Sequence, residues 1–179
     1  MCRASLPFLA AVFLLGGCDR ASTADREKAV DARSPLEIAA RERGVVQPES
    51  EELTGVFERA HDLGRDAMCV VPDGEGRWRF ALTAAFGSRL ACRAHGDVTR
   101  DGDEWRLSFA GVDDCAVTLR EDDDELRLPG RLPSQCDSLC PGRTTLAGLR
   151  LPRASWSAAD ARGLRMRDGQ GNIVQPCAD

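Results

Sequence analysis

The segment Trp78-Arg79-Phe80-Ala81-Leu82-Thr83-Ala84-Ala85-Phe86 decides the fold. Trp78, Phe80, Leu82, Ala84 and Phe86 fall on one side, with Arg79, Ala81, Thr83 and Ala85 on the other. A period of two belongs to a half-buried strand, because successive side chains leave a pleated backbone on opposite faces. Gly87-Ser88 then turns the chain, and Leu90, Cys92 and Ala94 alternate with Arg89, Ala91 and Arg93. Asp101-Gly102 is a hairpin signal, followed by Trp105, Leu107 and Phe109 on one face. Cys115, Val117 and Leu119 continue the pattern, then an acidic turn from Glu121 to Glu125, then Leu126 and Leu128. Upstream, Met68-Cys69-Val70-Val71 is a strand ended by Pro72-Asp73-Gly74. Short alternating strands joined by tight turns predict a mostly β fold, an antiparallel meander of about six to eight strands. Such a meander forms either a barrel or a one-sided sheet laid on a helix.

Further out the signals change. Ser34-Pro35-Leu36-Glu37 is a helix start, with Ser34 to cap, Pro35 at the first helical position and Glu37 completing a capping box. The helix runs to about Arg43 and stops at Gly44. Pro48 to Gly64 fits two descriptions. Leu53, Val56, Phe57, Ala60 and Leu63 share a helical face, yet Gly55 interrupts it, and Thr54 to Arg59 suits a first strand, which the strands downstream favour. Pro129 to Pro152 is rich in Pro, Gly and Ser and reads as loop. Leu126-Arg127-Leu128-Pro129 recurs as Leu149-Arg150-Leu151-Pro152, a match too short for an internal repeat and explained by shared strand ends. Trp156 to Arg162 suggests a helical turn closed by Gly163. Asp168-Gly169-Gln170-Gly171-Asn172 predicts a terminal hairpin between Leu164–Met166 and Ile173–Val174.

The eight cysteines divide by position. Cys2 lies in an N-terminal leader and Cys18 at its end. Cys69, Cys92, Cys115, Cys136, Cys140 and Cys177 remain, an even set that in an exported domain predicts three disulfides. Cys92 and Cys115 share the apolar face of their strands, where a crosslink pins register. The expected pairing is Cys69 with Cys92, Cys115 with Cys136 and Cys140 with Cys177. Cys136-Asp137-Ser138-Leu139-Cys140 has one residue too many for a thioredoxin-like pair, and a zinc site is less expected than disulfides.

Catalytic and metal signals are sparse. The two histidines, His61 and His95, have Asp62 and Asp97 near them in sequence, but there is no Gly-x-Ser-x-Gly elbow and no phosphate-cradling Gly-Lys-Ser/Thr loop. Glu121 to Glu125 lacks the alternation and glycine of a calcium loop. No catalytic residue, metal or cofactor is therefore assigned. The net charge of −5, with bases that are arginine except for Lys28, carries no footprint for nucleic acid. The candidate binding surface is instead a set of outward arginines: Arg77, Arg79, Arg93, Arg106, Arg120 and Arg127. On adjacent strands they present forks for headgroup phosphates, peptidoglycan carboxylates or an acidic partner; the plainer alternative is the ordinary polar face of a sheet.

The N-terminus sets the expected location. Arg3 precedes an apolar run from Leu6 to Leu15, about ten residues against the roughly twenty that span a bilayer, which is a secretory leader. Leu15-Gly16-Gly17-Cys18 resembles the lipobox of bacterial lipoproteins, which implies cleavage before Cys18 and lipidation of that cysteine. Residues 1–17 are then a signal peptide, 18–33 a lipidated tether, and 34–179 one disulfide-stabilised domain. The body resembles uncharacterised small envelope lipoproteins of alphaproteobacteria in Ser34-Pro35-Leu36-Glu37, Gly64-Arg65-Asp66 and Cys136 to Cys140. Asp19 matches the inner-membrane retention pattern of enteric lipoproteins, a rule other lineages do not share, so inner and outer membrane both stay open.

These features imply a lipid-anchored protein facing the periplasm, with a non-catalytic binding or structural role toward an envelope protein or peptidoglycan. One alternative is an inhibitor of a lytic enzyme. A lipid-anchored, disulfide-bonded small barrel is similar in outline to membrane-bound inhibitors of C-type lysozyme, although this chain has no tyrosine for their loop motif. Another alternative is a small periplasmic hydrolase. Cys18→Ser is expected to move the protein out of the membrane fraction of fractionated cells; retention there would refute the anchor.

Overall fold

The alternating segments pair in chain order. The computed structural model describes residues 34–43, 52–87, 90–122 and 124–178; the leader, Cys18 and the expected tether lie outside these residues. Strands β1 (Gly55–His61), β2 (Gly64–Pro72), β3 (Arg77–Ala85), β4 (Ala91–Asp101), β5 (Glu104–Phe109), β6 (Ala116–Asp122), β7 (Glu125–Arg127) and β8 (Arg150–Ser155) form an antiparallel sheet. Each strand pairs with the next, and β8 returns to β1, so the sheet closes into an eight-stranded up-and-down barrel. Helix α1 (Pro35–Glu42) precedes it, a 3-10 turn spans Ser134–Leu139, and α2 (Ala158–Gly163), β9 (Met166–Arg167) and β10 (Ile173–Val174) follow. The strand alternative for Thr54 to Arg59 is the one the chain adopts.

Eight strands enclose a space that side chains just fill. Phe57, Met68, Val70, Leu82, Val98, Leu107, Leu119, Leu126 and Leu151 fill it here, all fully buried. Phe80 meets Phe109 edge-on at 5.4 Å, and Trp78 meets Trp105 at 5.1 Å in the same geometry. The Trp78 indole N–H donates to Thr54 Oγ1 at 3.2 Å, which gives the half-buried ring its polar partner.

β2 departs from alternation because both of its faces are covered. Met68 and Val70 point inward. Ala67, Cys69 and Val71 point outward, under Ala161, Leu164, Met166 and Cys177 of the C-terminal segment. The uninterrupted apolar run Ala67 to Val71 is the mark of a strand buried on two sides. Ser157 caps α2, accepting from the Asp160 amide at 3.2 Å.

The recurring Leu-Arg-Leu-Pro quartets pair with one another. Leu126 lies opposite Leu151 and Arg127 opposite Arg150, and the Leu128 amide donates to the Leu149 carbonyl at 2.9 Å. Pro129 has no N–H to extend the ladder, and β7 stops after three residues. Both copies place leucine inward and arginine outward, so similar strand environments account for the recurrence.

Near one end of the barrel sits a buried cation. Arg153, with its side chain 1% exposed, pairs with Glu121 through Nε and Nη2. Its Nη1 donates to the Thr54 carbonyl at 2.9 Å. The guanidinium lies between the rings of Phe57, at 4.2 Å, and Trp156, at 3.6 Å. Burial pulls its pKa below the ordinary arginine value, and Glu121 opposes that pull. All three guanidinium nitrogens are used, so the group has no fork left to offer.

The disulfides are Cys69–Cys177, Cys92–Cys140 and Cys115–Cys136. The expected Cys115–Cys136 bridge forms; the other two expected pairs do not. Cys69 and Cys92 cannot meet, because β3 separates their strands and the cysteines face opposite sides of the sheet. Cys92 and Cys115 face the core as expected, but Leu90 does not join them: it precedes β4 and is exposed. The 3-10 turn and the residue that follows it thus take one crosslink each, and the C-terminal tail takes one to the outer wall.

Cys69–Cys177 closes a separation of 108 residues and Cys115–Cys136 one of 21. Replacing the first pair by serine is expected to cost about 4–5 kcal/mol, against about 3 kcal/mol for the second, from loop-closure entropy. Urea unfolding of the two double variants reads the order.

Candidate functional site: the grooves beside the C-terminal hairpin

The β9–β10 hairpin owes its shape to Asp168. Its Oδ1 accepts from the Gln170 and Asn172 amides at 2.9 and 2.8 Å, and its Oδ2 accepts from Asn172 Nδ2 at 3.0 Å. The Asn172 side chain and these amides hold the Asp168 carboxyl below the usual carboxylate range. The barrel wall grips the hairpin and tail through main-chain acceptors. Arg93 Nε donates to the Arg167 carbonyl at 3.0 Å, and Arg79 Nη2 donates to the carbonyls of Cys177 and Ala178 at 3.3 and 3.1 Å. Met166 is buried against the wall.

A groove runs along each side of the hairpin. One, of about 560 Å³, carries Arg79, Arg93 and Arg167 together with Asp73, Asp97 and Asp168. The other, of about 650 Å³, runs over the outer faces of β2 to β4 and carries Arg65, Arg93, Arg165 and Arg167. No aspartate or glutamate is among the described residues that line it. Ala67, Ala85, Ala91 and Met166 contribute apolar surface, and Leu63, Leu90 and Ile173 stand at its edges, exposed. Arg65 also reaches Glu58 on the neighbouring strand, an exposed pair that competes weakly for the charge. Arg167 Nη1 donates to the Gly171 carbonyl at 3.0 Å.

A third groove, of about 850 Å³, lies in the barrel wall where β7 is short, between β6 and Leu128–Pro133. It is larger, but carboxylates share its lining: Glu104, Glu121 and Asp122 stand in it beside Arg120 and Arg127, with Arg120 paired to Glu104 and Arg127 to Asp122. The second groove of the hairpin is therefore the surface whose described lining holds arginines and no carboxylate, with Glu58 reaching Arg65 from outside it.

The six arginines singled out in the sequence do not form one face. Arg79 and Arg93 hold the C-terminal segment; Arg120 and Arg127 are ion-paired on the β6–β7 wall; Arg106 on β5 and Arg77 at the start of β3 lie apart from the groove lining. Of the six, only Arg93 belongs to the groove whose described lining holds no carboxylate. Arg65, Arg165 and Arg167 were missed. The alternation of buried Leu164 and Met166 with exposed Arg165 and Arg167 was the available signal.

His61 has a partner other than its sequence neighbour Asp62. Its Nε2 lies 3.0 Å from Asp66 Oδ1, and its Nδ1 accepts from the Leu63 amide at 3.2 Å. An Nδ1 that accepts fixes the proton on Nε2, which donates to Asp66. Arg59 Nη2 and the Ala85 amide also donate to Asp66, each at 2.9 Å. Both ring nitrogens are thus engaged in locking the β1–β2 turn. His95 sits on β4 opposite Ala81, beside the first groove. Among the described residues no three Cys, His, Asp or Glu side chains gather as a metal site.

No protein-family model, no curated protein and no solved structure matches this chain.

Burial raises the pKa of Asp66, which is 3% exposed. Hydrogen bonds from His61, Ala85 and Arg59 outweigh that effect and leave it below its ordinary value. A depressed carboxylate stabilises the fold above its unfolded pKa, and that contribution disappears as pH falls through the lower folded value. Asp66→Asn is expected to cost about 2 kcal/mol at neutral pH, with the difference from the parent shrinking as pH falls below the ordinary carboxylate range. Urea unfolding across pH 2–7 measures both.

Proposed function

We propose that this chain is a non-catalytic binding module of the cell envelope, tethered through a lipidated Cys18, and that it takes an anionic partner in the groove of Arg65, Arg93, Arg165 and Arg167. The observation that carries the reading is the absence of any carboxylate among the described residues lining that groove. Arginine forks match phosphate and carboxylate oxygens bidentately, and a groove excludes part of the solvent that screens an exposed charge. Three facts support the rest. The barrel interior is filled by its own side chains, which favours an outer site. His61 is occupied on both nitrogens, which favours binding over acid–base work. Three disulfides suit an oxidising compartment.

The test uses the oxidised chain on a support, exposed separately to purified peptidoglycan, hexaglutamate, anionic vesicles and lysozyme. Retention of at least one anionic probe is expected at low salt, with Arg65→Gln/Arg165→Gln weakening it about tenfold. Retention of lysozyme alone would turn the reading toward an enzyme inhibitor, and no retention would overturn the groove assignment.

A further inference from the structure

We infer that the occupant of the arginine groove is an anionic lipid leaflet, so that the barrel lies against the membrane along its C-terminal hairpin. This rests on the reading of the groove as an anion site and names the source of the anion.

Two properties of the same surface point there. The first is charge. The chain is acidic as a whole, at −5, yet the described lining of this groove holds four arginines and no carboxylate. An anionic leaflet repels a net-negative protein approaching at random and attracts this patch, so the charge distribution selects one orientation. The second is exposed apolar surface. Leu63, Leu90 and Ile173 are 56%, 45% and 48% exposed and come from three separate elements: the β1–β2 turn, the approach to β4, and β10. All three line the groove with the arginines. A hydrophilic acidic peptide satisfies the guanidinium groups but leaves these side chains in water. A leaflet satisfies both, since phosphates meet arginine forks at headgroup level and aliphatic side chains enter the acyl boundary beneath. Arginine suits that depth because its aliphatic stem lies along apolar surface while its head stays at the phosphates.

The experiment uses the full, oxidised chain carrying Cys18→Ser, which removes the lipid and keeps every other residue. Co-sedimentation is measured with vesicles of phosphatidylglycerol and phosphatidylcholine in equal parts, and with phosphatidylcholine alone. Hexaglutamate binding is measured in parallel. Variants are compared on each probe, so membrane affinity of the apolar leader is common to all arms. The parent is expected to prefer the anionic vesicles, and Arg65→Gln/Arg165→Gln to lose about tenfold of that binding. Leu63→Ser/Ile173→Ser is expected to weaken vesicle binding while leaving hexaglutamate binding unchanged. These four residues are exposed, and circular dichroism with a thiol assay checks that each variant keeps its fold and disulfides. Hexaglutamate binding that needs the arginines, with vesicle binding indifferent to both variants, overturns the leaflet and leaves the anion site standing. Vesicle binding that needs the arginines but not Leu63 and Ile173 also overturns the leaflet, in favour of a purely polar anion. Indifference of both probes to the arginines removes both readings.

Discussion

Closure of the barrel turns on the approach of Ser155 in β8 to Gly55 in β1. A Cβ at position 55 would stand 2.1 Å from the Ser155 carbonyl oxygen, and the backbone there has φ of 143°. Only a glycine tolerates that conformation at that distance. The β1–β8 register shifts between Val56 and Phe57, directly after this contact. From it follow the inward placement of Leu151 and Arg153, the hydrogen bond from Arg153 to Thr54, and the stacking of Trp156. Gly96 meets a similar constraint: a Cβ there would lie 2.0 Å from the Ser108 carbonyl oxygen. Gly96 pairs with Phe80 on one side and Phe109 on the other, and without a side chain between them the two rings meet.

The barrel and its C-terminal segment depend on each other. The outer faces of β1, β2 and β3 carry Val56, Ala67, Cys69, Val71 and Ala81, which a bare barrel would leave in water. α2, the β9–β10 hairpin and Cys177 cover them; Arg93 holds the hairpin and Arg79 the tail by main-chain carbonyls. The grooves are the margins of this covering layer, where a short hairpin meets a curved wall without filling the angle. Arg93 serves both purposes, with Nε on the hairpin backbone and the side chain on the groove.

The strands were legible because a barrel with a filled interior imposes period two on nearly every strand, and from Trp78 to Leu128 the sequence obeys it. The Asp101-Gly102 turn, the acidic turn after β6 and the terminal hairpin were legible from their turn chemistry. Closure was not, because it depends on Gly55 meeting Ser155, a hundred residues apart in the chain. The pairing of Cys69 was not either: whether a cysteine on β2 looks inward or outward is ambiguous in a run where both faces are apolar. The groove was legible only as an excess of arginine. Which arginines gather depends on where Leu164 to Arg167 docks, and a two-residue strand carries too little pattern to announce its partner.

The disulfides are nested, with Cys115–Cys136 inside Cys92–Cys140 and both inside Cys69–Cys177. A chain that oxidises as it emerges from its N-terminus presents Cys69 and Cys92 together before any native partner has appeared, and these first two of the six bridging cysteines belong to different bridges. Native bonding therefore starts from the middle and ends with the last cysteine, so Cys69 stays reduced, or is transiently bonded elsewhere, until Cys177 arrives. In an oxidising compartment any early bond made by Cys69 must be undone by thiol–disulfide exchange before Cys69–Cys177 can form, so the bridge that ties the tail to the outer face of β2 is the last to close.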